Sequence, residues 1–327
     1  MVKTLGAVAR MLTIGVLMVC AGSAVAQQAY PNRPLRLITP YPAGSSPDTI
    51  ARLLAPKLTE SWGQQALVDN RAGGNTIIGS DAMVKSKPDG YTVLLISTTH
   101  VLNALLLPSL PYDTIKDFAP VATIASSELV LVVHQSLPAN NLQEFIALAK
   151  ARPGQLNYAT ASSGGPTHLA PAWLSIMTGI KMQHIPYKGS GPAVADLIGG
   201  QVHLYFSAPI SVIPHIKSGR LKAIAISGET RSPALPQVPT FTEAGLSGFD
   251  LKFWYGVLAP AGTPKEILDK LSAEFARIVV MPDIKEKLSS QGADPFVSTP
   301  EQFAAVMKAD LAKYEKVIKA ANIKLEN

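Results

Sequence analysis

Residues 35–58, LRLITPYPAGSSPDTIARLLAPKL, join a short apolar run to a loop of small residues and then to a helical pattern. The run 35–39 is bounded by proline and is typical of a buried strand. From Ile50 onward, apolar residues recur at i, i+3, i+4 and i+8, the spacing of one helix face. A buried strand followed directly by an amphipathic helix predicts one unit of a parallel α/β sheet.

Helix-start signals accompany this pattern and recur near the C-terminus. Ser46 is predicted to cap the first helix, with Pro47 at its first position, and Pro56 is predicted to kink or shorten it. Residues 263–266, TPKE, and 299–302, TPEQ, each have the form of a capping box before an apolar helical pattern. The C-terminal third is therefore predicted to be helical.

The same alternation of strand and helix patterns continues along the chain. No stretch has the composition of a flexible linker, so two lobes must be joined by strands that cross between them. The repeated alternation predicts an α/β fold with mostly parallel sheets. Further apolar runs bounded by Pro, Gly or Ser predict strands at 92–96, 129–133, 156–160, 202–206 and 223–227.

The composition excludes several classes of protein. The 327 residues are 47% hydrophobic and 16% charged, which excludes a disordered chain or a small disulfide scaffold. The formal net charge is +6, with Lys and Arg dispersed and without aromatic interleaving. This charge is too small and too scattered to predict nucleic-acid binding, but a mild positive field suits a small anion.

The first 26 residues have the pattern of a cleaved signal peptide. Lys3 and Arg10 accompany an apolar stretch at 11–21, and an A-x-A cleavage site ends at Ala26. The stretch is shorter than the roughly 20 residues that span a bilayer. Cys20 follows a valine, which favours simple cleavage over a lipid anchor. We therefore expect export to the periplasm and a mature chain without cysteine, hence without disulfides.

Two loops at strand-to-helix junctions have the chemistry of an anion site. Residues 39–48 and 161–168 each place small residues and backbone N–H groups where a predicted strand ends and a helix begins. Orphan N–H groups and the helix dipole attract anions there. Gly165 is predicted to allow close approach of the backbone to a carboxylate, with a φ angle that other residues avoid. Two such loops in different parts of the chain predict a cleft that holds an anion from both sides.

Catalytic and metal-binding patterns are absent from the sequence. There is no G-x-S-x-G, no H-E-x-x-H and no phosphate-binding glycine pattern, and the six histidines are scattered. We predict no catalytic residue, no metal site and no cofactor. A secreted α/β hydrolase remains an alternative from another class, and turnover of a generic ester would distinguish it.

Short matches along nearly the whole mature chain resemble one protein family. The sequence is similar to the extracytoplasmic solute receptors of the tripartite tricarboxylate transporter family, also called Bug proteins. The matching pieces come in the family's order: YPNRP at 30–34, PAG at 42–44, NRAGGN at 70–75, PDGYT at 88–92, DFAP at 117–120, SSG at 162–164, HLA at 168–170, PYKG at 186–189, GGQV at 199–202, PT at 239–240, WYG at 254–256 and PAGTP at 260–264.

The resemblance implies a type II periplasmic binding protein fold. Its two α/β lobes are joined by crossing hinge strands, with the ligand cleft between them. One lobe is expected to comprise residues 27–124 and 229–327, and the other residues 125–228. It also implies a cleft lined by Tyr41, Ala43, Gly44, Ser45, Ser46, Thr98, Ser162, Ser163, Gly165, Thr167, His168, Tyr187, Lys188 and Ser207.

The resemblance further implies a function in transport. The receptor is expected to be a monomer that captures a small organic anion, usually a carboxylate. It would deliver this anion to the transmembrane permease subunits of the transporter. Presentation of the ligand to a periplasmic sensor is the alternative within binding proteins, and genes next to this one would distinguish the two.

Several positions depart from the family pattern. Ser45 stands in place of a second loop glycine, and Pro171 and Ala172 replace a glycine and a glutamate. His203 and Ser207 stand where aspartates are common. If Ser207 faces the cleft, the loss of acids favours a carboxylate or a neutral polar group over an amine. The alternative is that only Ser207 lies near the ligand.

Overall fold

The structure is a computed structural model of the full chain. The predicted signal peptide at 1–26 lies outside the residues that it describes, as do the candidate ligand residues Ser162, Ser163 and Lys188. The compact body considered below begins at Arg33. None of the helices described has the length and apolarity of a membrane span. The described residues are 30–161, 164–187, 189–249, 251–290 and 292–321.

Six of the described strands form the first sheet. They are β1 (Leu35–Thr39), β2 (Ala66–Asn70), β3 (Thr92–Ser97), β4 (Phe118–Glu128), β10 (Lys252–Pro260) and β11 (Asp294–Pro295). Their order is β11-β4-β10-β3-β1-β2. β1 pairs in parallel with β2 and β3, and β10 runs antiparallel between β3 and β4. The carboxyl ends of β1 to β4 therefore lie at one edge of this sheet.

The second sheet has five of the described strands. They are β5 (Val130–His134), β6 (Asn157–Thr160), β7 (Gln183–Pro186), β8 (Leu204–Ser207) and β9 (Leu221–Ile226), in the order β7-β6-β8-β5-β9. β6 pairs in parallel with β7 and β8, whereas β5 runs antiparallel to β8 and β9. The carboxyl ends of four strands, β6, β7, β8 and β9, thus share one edge, and β5 begins at that edge.

Helices connect and cover the strands of both sheets. They give two α/β lobes, one around each sheet. The helices are α1 (Ser46–Trp62), α2 (Ile77–Val84), α3 (Thr99–Leu106), α4 (Leu142–Ala151), α5 (Pro166–Thr178), α6 (Ser190–Ile198), α7 (Pro209–Lys217), α8 (Lys265–Val279), α9 (Pro282–Ser290) and α10 (Pro300–Ala321).

The first helix begins one residue earlier than its sequence signals predict. Ser45, and not Ser46, is the capping residue, and its Oγ accepts a long hydrogen bond of 3.5 Å from the backbone N–H of Asp48. Extended φ and ψ angles at Ser45 aim its side chain at the first turn. The prediction that Pro56 shortens the helix is also wrong. Pro56 faces solvent while apolar side chains on either side stay buried, so packing carries the helix on to Trp62.

Only one of the two predicted capping boxes forms. Thr299 and Gln302 cap α10 reciprocally: Gln302 N–H donates to Thr299 Oγ1 at 3.2 Å, and Thr299 N–H donates to Gln302 Oε1 at 2.9 Å. The capping box predicted at 263–266 does not form. Thr263 instead donates its hydroxyl to the carbonyl of Pro260 at 2.8 Å, because α8 begins after an extended Pro264.

The two sheets are linked at a tight crossing. Only Leu129 separates β4 from β5. Leu129 N–H donates to Ser227 Oγ at 2.9 Å, and Ser227 N–H donates to the carbonyl of Leu129 at 2.9 Å. Ser227 Oγ also donates to the carbonyl of Leu251 at 2.7 Å, just before β10. Because these three segments meet at one point, small φ and ψ changes there can move one lobe relative to the other.

The segment between β9 and β10 contacts the second sheet. Thr240 forms an isolated bridge with Ile226, and the ring of Phe241 stacks on Phe206 of β8 with centroids 6.0 Å apart. β4 meanwhile stays paired with β10 as far as Glu128. The lobe boundaries at 124/125 and 228/229 stay a prediction.

A fully buried histidine on α3 makes the stability of the fold depend on pH. His100 Nε2 donates to the carbonyl of Thr114 at 3.0 Å, while Nδ1 meets no hydrogen-bond partner among the described residues. The edge of its ring packs on Phe118 with centroids 4.5 Å apart. Burial lowers the pKa of His100 from 6.5 to about 4. In the unfolded chain this histidine binds a proton below pH 6.5, whereas in the folded chain it stays neutral down to about pH 4.

We therefore expect His100 to contribute about 3 kcal/mol to the loss of unfolding free energy between pH 7 and pH 4. His100→Gln retains a side-chain N–H donor and cannot titrate. Urea unfolding of both proteins at pH 7 and pH 4 measures the difference, and carboxylate titrations shared by the two proteins cancel. An equal pH dependence in the wild type and the variant would contradict this assignment.

Candidate ligand-binding cleft

In each sheet, the edge that carries the loops lies at the chain crossing around Leu129. β4 ends at the carboxyl edge of the first sheet and continues through Leu129 into β5, which starts at the carboxyl edge of the second. Ligands bind in open α/β sheets beyond the carboxyl ends of the strands. The loops before α1 and before α5 therefore lie on the two sides of one candidate cleft.

The first loop is held by an aspartate of the helix that follows it. Gly44 has a left-handed φ of +79°, and its N–H donates to Asp48 Oδ2 at 2.8 Å. Arg52 Nε and Asn70 Nδ2 also donate to this carboxylate, at 3.0 and 2.8 Å. Burial raises the pKa of Asp48, but hydrogen bonds from Arg52, Gly44 and Asn70 bring it below the usual value. Asp48 is therefore an ionised acceptor that fixes the loop.

The second loop is held in the same way by a histidine. Gly164 has a φ of +75°, and its N–H donates to His168 Nδ1 at 3.1 Å. Thr167 Oγ1 accepts from the N–H of Ala161 at 3.0 Å. The left-handed glycine is Gly164, so the expectation of a special φ at Gly165 is wrong: Gly165 has φ −81°. Because Pro166 follows it, Gly165 is confined to an extended conformation.

The His168 ring is buried in an aromatic cluster beneath this loop. It stacks on His184 with centroids 4.1 Å apart and lies 6.3 Å from the ring of Tyr158. His184 Nε2 in turn lies 2.8 Å from Thr160 Oγ1 at the end of β6. Burial, aided by the neighbouring His184, lowers the pKa of His168 to about 4. The ring is therefore neutral near pH 7.

A cluster of hydroxyl groups lies beside the first loop. The hydroxyls of Tyr41 and Ser97 lie 2.7 Å apart, and Ser97 N–H donates to Tyr41 Oη at 3.1 Å. Burial raises the pKa of Tyr41 to about 12. Burial also raises the pKa of Tyr255, on β10, although a hydrogen bond with Ser46 partly lowers it. Both phenols therefore keep their protons near pH 7 and add no negative charge beside the first loop, and because Ser97 Oγ donates to Thr99, the Tyr41 hydroxyl donates to Ser97 Oγ.

Tyr205, from the second sheet, interacts electrostatically with Tyr255 of this hydroxyl cluster. Tyr205 on β8 is fully buried, and its hydroxyl donates to Ser190 Oγ at 3.3 Å. Burial raises the pKa of Tyr205 to about 12, and its proximity contributes to the raised pKa of Tyr255. Tyr205 of the second sheet and Tyr255 of the first are therefore close enough to interact electrostatically. Within the described part of the chain, no group of three or more His, Cys, Asp or Glu side chains could hold a metal ion.

Three predicted ligand residues use their hydroxyls within the protein. Thr98 is fully buried, and its Oγ1 accepts from the N–H of Trp254 at 3.0 Å. Tyr187 donates its hydroxyl to Asp196 Oδ2 at 2.7 Å. Ser207 lies at the carboxyl end of β8, but its hydroxyl donates to the carbonyl next to it at 3.0 Å.

The other predicted residues are distributed as follows. Tyr41, Ala43, Gly44, Ser45 and Ser46 are together on the first loop, with Ala43 and Gly44 exposed. Gly165, Thr167 and His168 are together on the second. Of the departures from the family pattern, His203 lies away from the cleft. Its Nδ1 accepts from the N–H of Asn157, which opens β6 at the amino edge of the sheet, at 3.0 Å.

The sequence analysis missed four residues of this cluster. Ser97 and Thr99 follow a predicted strand, and Ser97 Oγ donates to Thr99 Oγ1 at 3.1 Å. Tyr205 is two residues from Ser207, on the same face of β8, so strand alternation could have identified it. Tyr255 pairs with Ser97 across two strands, and no sequence signal links residues so far apart.

Comparison with known proteins confirms the family resemblance found along the sequence. The family model of TctC, the tripartite tricarboxylate transporter family receptor, matches residues 50–323. Protein BugT of Bordetella pertussis strain Tohama I is 38% identical over 317 residues, covering 96% of this chain and 97% of BugT. The chain belongs to the tripartite tricarboxylate transporter receptor family. It is thus a solute-binding receptor of a transport system and not an enzyme.

Solved structures of TctC-family receptors have the same fold. Rpa4515 of R. palustris, solved with adipate, is 34% identical with a TM-score of 0.85, and the match covers 90% of this chain and 99% of that one. MatC of Rhodopseudomonas palustris, solved with bound malate, is 30% identical with a TM-score of 0.79, over 88% and 100% of the two chains. The periplasmic binding protein BugD is 30% identical with a TM-score of 0.82, over 91% and 100%.

A more distant similarity shows the fold alone. The periplasmic aliphatic sulphonate binding protein SsuA of Escherichia coli is 11% identical with a TM-score of 0.55, over 90% of this chain and 94% of SsuA. The prediction of a two-lobed periplasmic binding protein fold is therefore confirmed, and so is the family.

Proposed function

We propose that this TctC-family receptor captures a small organic carboxylate between its two lobes. It then delivers the ligand to the transmembrane permease subunits of a tripartite tricarboxylate-type transporter. The receptor acts in the periplasm, after cleavage near Ala26, and as a monomer. The signal-peptide pattern supports this location, as does the description of relatives such as BugD as periplasmic.

The similar construction of the two loops supports a binding site for a carboxylate. Each loop has a left-handed glycine held by the third residue of the helix that follows, Gly44 by Asp48 and Gly164 by His168. This brings the N-termini of α1 and α5 to the cleft, where backbone N–H groups and helix dipoles attract an anion. Adipate and malate, the ligands of two relatives, are both dicarboxylates.

Neutral hydroxyl groups complete the proposed site. Tyr41, Tyr205 and Tyr255 have raised pKa values and therefore keep their protons near pH 7. The Tyr41 and Tyr205 hydroxyls now donate to Ser97 and Ser190, and they can hydrogen-bond a carboxylate when the ligand replaces these acceptors. We propose that ligand contacts also come from Ala43, Gly44, Ser45, Ser46, Ser162, Ser163, Gly165, Thr167 and Lys188.

A thermal-shift screen of the purified protein against mono-, di- and tricarboxylates tests this function. A ligand at 100 times its Kd stabilises the folded state by about 2.7 kcal/mol. For a chain of this size we expect the unfolding midpoint to rise by about 5 °C. Calorimetry then measures the affinity of each positive compound.

The same screen separates the proposed function from its alternatives. Affinity should be retained after exhaustive dialysis against EDTA, because the proposed donors are backbone and hydroxyl groups. Loss of affinity that one divalent ion restores would contradict the proposed site. Failure of every carboxylate to stabilise the protein, or turnover of a generic ester, would contradict the proposed function.

A further inference from the structure

The two loop-holding side chains occupy equivalent positions but differ in charge. Asp48 is the third residue of α1, and His168 is the third residue of α5. Each accepts a hydrogen bond from the N–H of a left-handed glycine four residues earlier, at 2.8 Å from Gly44 and 3.1 Å from Gly164. The same hydrogen-bonding arrangement therefore occurs in both lobes, with a carboxylate as the acceptor in one and an imidazole in the other.

The negative charge of Asp48 has cationic and amide partners. Arg52, one helical turn later, donates Nε to Asp48 Oδ2 at 3.0 Å, and Asn70 donates to the other oxygen at 2.8 Å. The carboxylate at the start of α1 also offsets the positive end of that helix dipole. Asp48 thus fixes the shape of the first loop, but its negative charge weakens the attraction of that loop for an anion.

His168 holds its loop without adding charge. Because Nδ1 accepts from Gly164, the ring proton belongs on Nε2 and the ring is neutral. One turn later, α5 has Ala172, which could not compensate an acid at position 168 as Arg52 compensates Asp48. The side chain of His168 is only 7% exposed and stacks on His184, so it supports the loop from below.

Two backbone donors at the start of α5 have no acceptor among the residues that the structure describes. No described residue accepts a hydrogen bond from the N–H of Gly165 or of Thr167. No acidic residue lies in the first turn of α5, whereas Asp48 lies in the first turn of α1. The positive end of the α5 dipole is therefore not offset by a side chain of its own first turn.

We propose that His168 is a positioning residue whose neutral imidazole fixes Gly164 and leaves the second loop free of negative charge, so that this loop binds the ligand carboxylate. The inference rests on the proposed function and specifies which lobe binds the charged group. His168 acts through Gly164 and does not itself contact the ligand.

The hydrogen bond can be measured without any ligand. In the full mature protein labelled with ¹⁵N, we expect a scalar coupling across the hydrogen bond between Gly164 N and His168 Nδ1. The ring should be in the Nε2–H tautomer at pH 7. An Nδ1–H tautomer, or an exchange-labile Gly164 N–H without this coupling, would overturn the positioning role.

Three substitutions at position 168 separate the acceptor from its charge. His168→Asn keeps a neutral oxygen acceptor at the position where Asp48 provides one in the first lobe. His168→Asp keeps the acceptor and adds a negative charge, and His168→Ala removes the acceptor. Calorimetry with adipate, or with malate if adipate gives no heat, compares them with the wild type after thermal unfolding has shown that each is folded.

We expect His168→Asn to stay within about threefold of wild-type affinity, and His168→Ala and His168→Asp each to lose at least tenfold. The loss in His168→Asp should shrink between 0.05 and 0.5 M NaCl, whereas the loss in His168→Ala should not. Wild-type affinity in His168→Ala would overturn the positioning role. Equal affinity of the Asp and Asn variants would overturn the role of charge. If the wild type binds neither compound, the result counts against the proposed function, while the ligand-free coupling still decides the role of His168.

Discussion

Gly164→Val is expected to lower the affinity for adipate or malate at least 100-fold. Gly164 is buried, has a φ of +75°, and donates its N–H to His168. A β-branched residue strongly disfavours this left-handed conformation. Valine would drive φ to negative values, rotate the N–H away from His168 and reshape the loop that presents Gly165 and Thr167. Calorimetry on the folded variant measures the loss.

Gly154→Val is the matched control for this substitution. Gly154 has a φ of +74°, and a Cβ added there meets no atom within 4 Å. It lies between α4 and β6, before the amino end of that strand. The control should suffer a similar backbone cost of about 1–3 kcal/mol in stability, yet bind the ligand within twofold of wild type. Equal affinity of the two variants would show that the conformation at Gly164 is not needed for binding.

Gly292→Val is expected to lower affinity at least 30-fold by preventing the lobes from meeting. A Cβ at Gly292 would lie 2.3 Å from Cβ of Pro209, the first residue of α7, which connects β8 and β9 of the second sheet. The carbonyl of Gly292 accepts from Ser127 Oγ on β4 of the first sheet at 2.9 Å. A side chain here would therefore act as a wedge between segments of the two lobes. Because ligand contacts are proposed from both sides, a held-open cleft should bind weakly.

Gly262→Val provides the matched control for the wedge. Gly262 has a φ of +83°, and a Cβ there would make only an ordinary contact of 3.9 Å with Cβ of Pro88. Small-angle scattering with saturating ligand should show a smaller radius of gyration for the wild type and for Gly262→Val. Gly292→Val should stay at its ligand-free value. Full affinity in Gly292→Val would contradict closure as the source of binding energy.

The position of both loops could be predicted from sequence because local signals determine it. A buried strand, a loop of small residues and a proline at the helix start occur together before α1 and before α5. The choice of the left-handed glycine was also within reach. A residue before proline is extended, so Pro166 excludes Gly165 and leaves Gly164. Close approach of a ligand favours glycine at either position, so that criterion alone does not distinguish Gly164 from Gly165.

Other features depend on tertiary contacts that have no local signal. Tyr255 and Tyr205 come from different sheets, and their proximity follows from how the chain crosses at Leu129. β2 was missed because it lies at the edge of the first sheet, where its side chains stay partly exposed and the apolar pattern is weak. Thr98 was interpreted as a ligand residue, yet β10 pairs beside it and Trp254 uses its hydroxyl.

The role of His168 is only partly predictable from local sequence signals. Its place in the first turn of α5 is readable from Pro166 onward, and the sequence analysis placed it among the ligand residues. Its ring is nonetheless buried against His184, and its Nδ1 already accepts a hydrogen bond from Gly164 within the loop. The equivalence of His168 with Asp48 follows from their hydrogen bonds to Gly164 and Gly44, which the residue types alone do not indicate.

A crystal structure of the protein with bound adipate or malate tests the central claim most directly. The account predicts one ligand carboxylate within hydrogen-bond distance of the N–H groups of Gly165 and Thr167, between the two loops. The hydroxyls of Tyr41, Tyr205 or Tyr255 should complete its contacts. A ligand held instead by a charged side chain, such as that of Arg71 directly after β2, or bound outside the space between the two sheets, would contradict it.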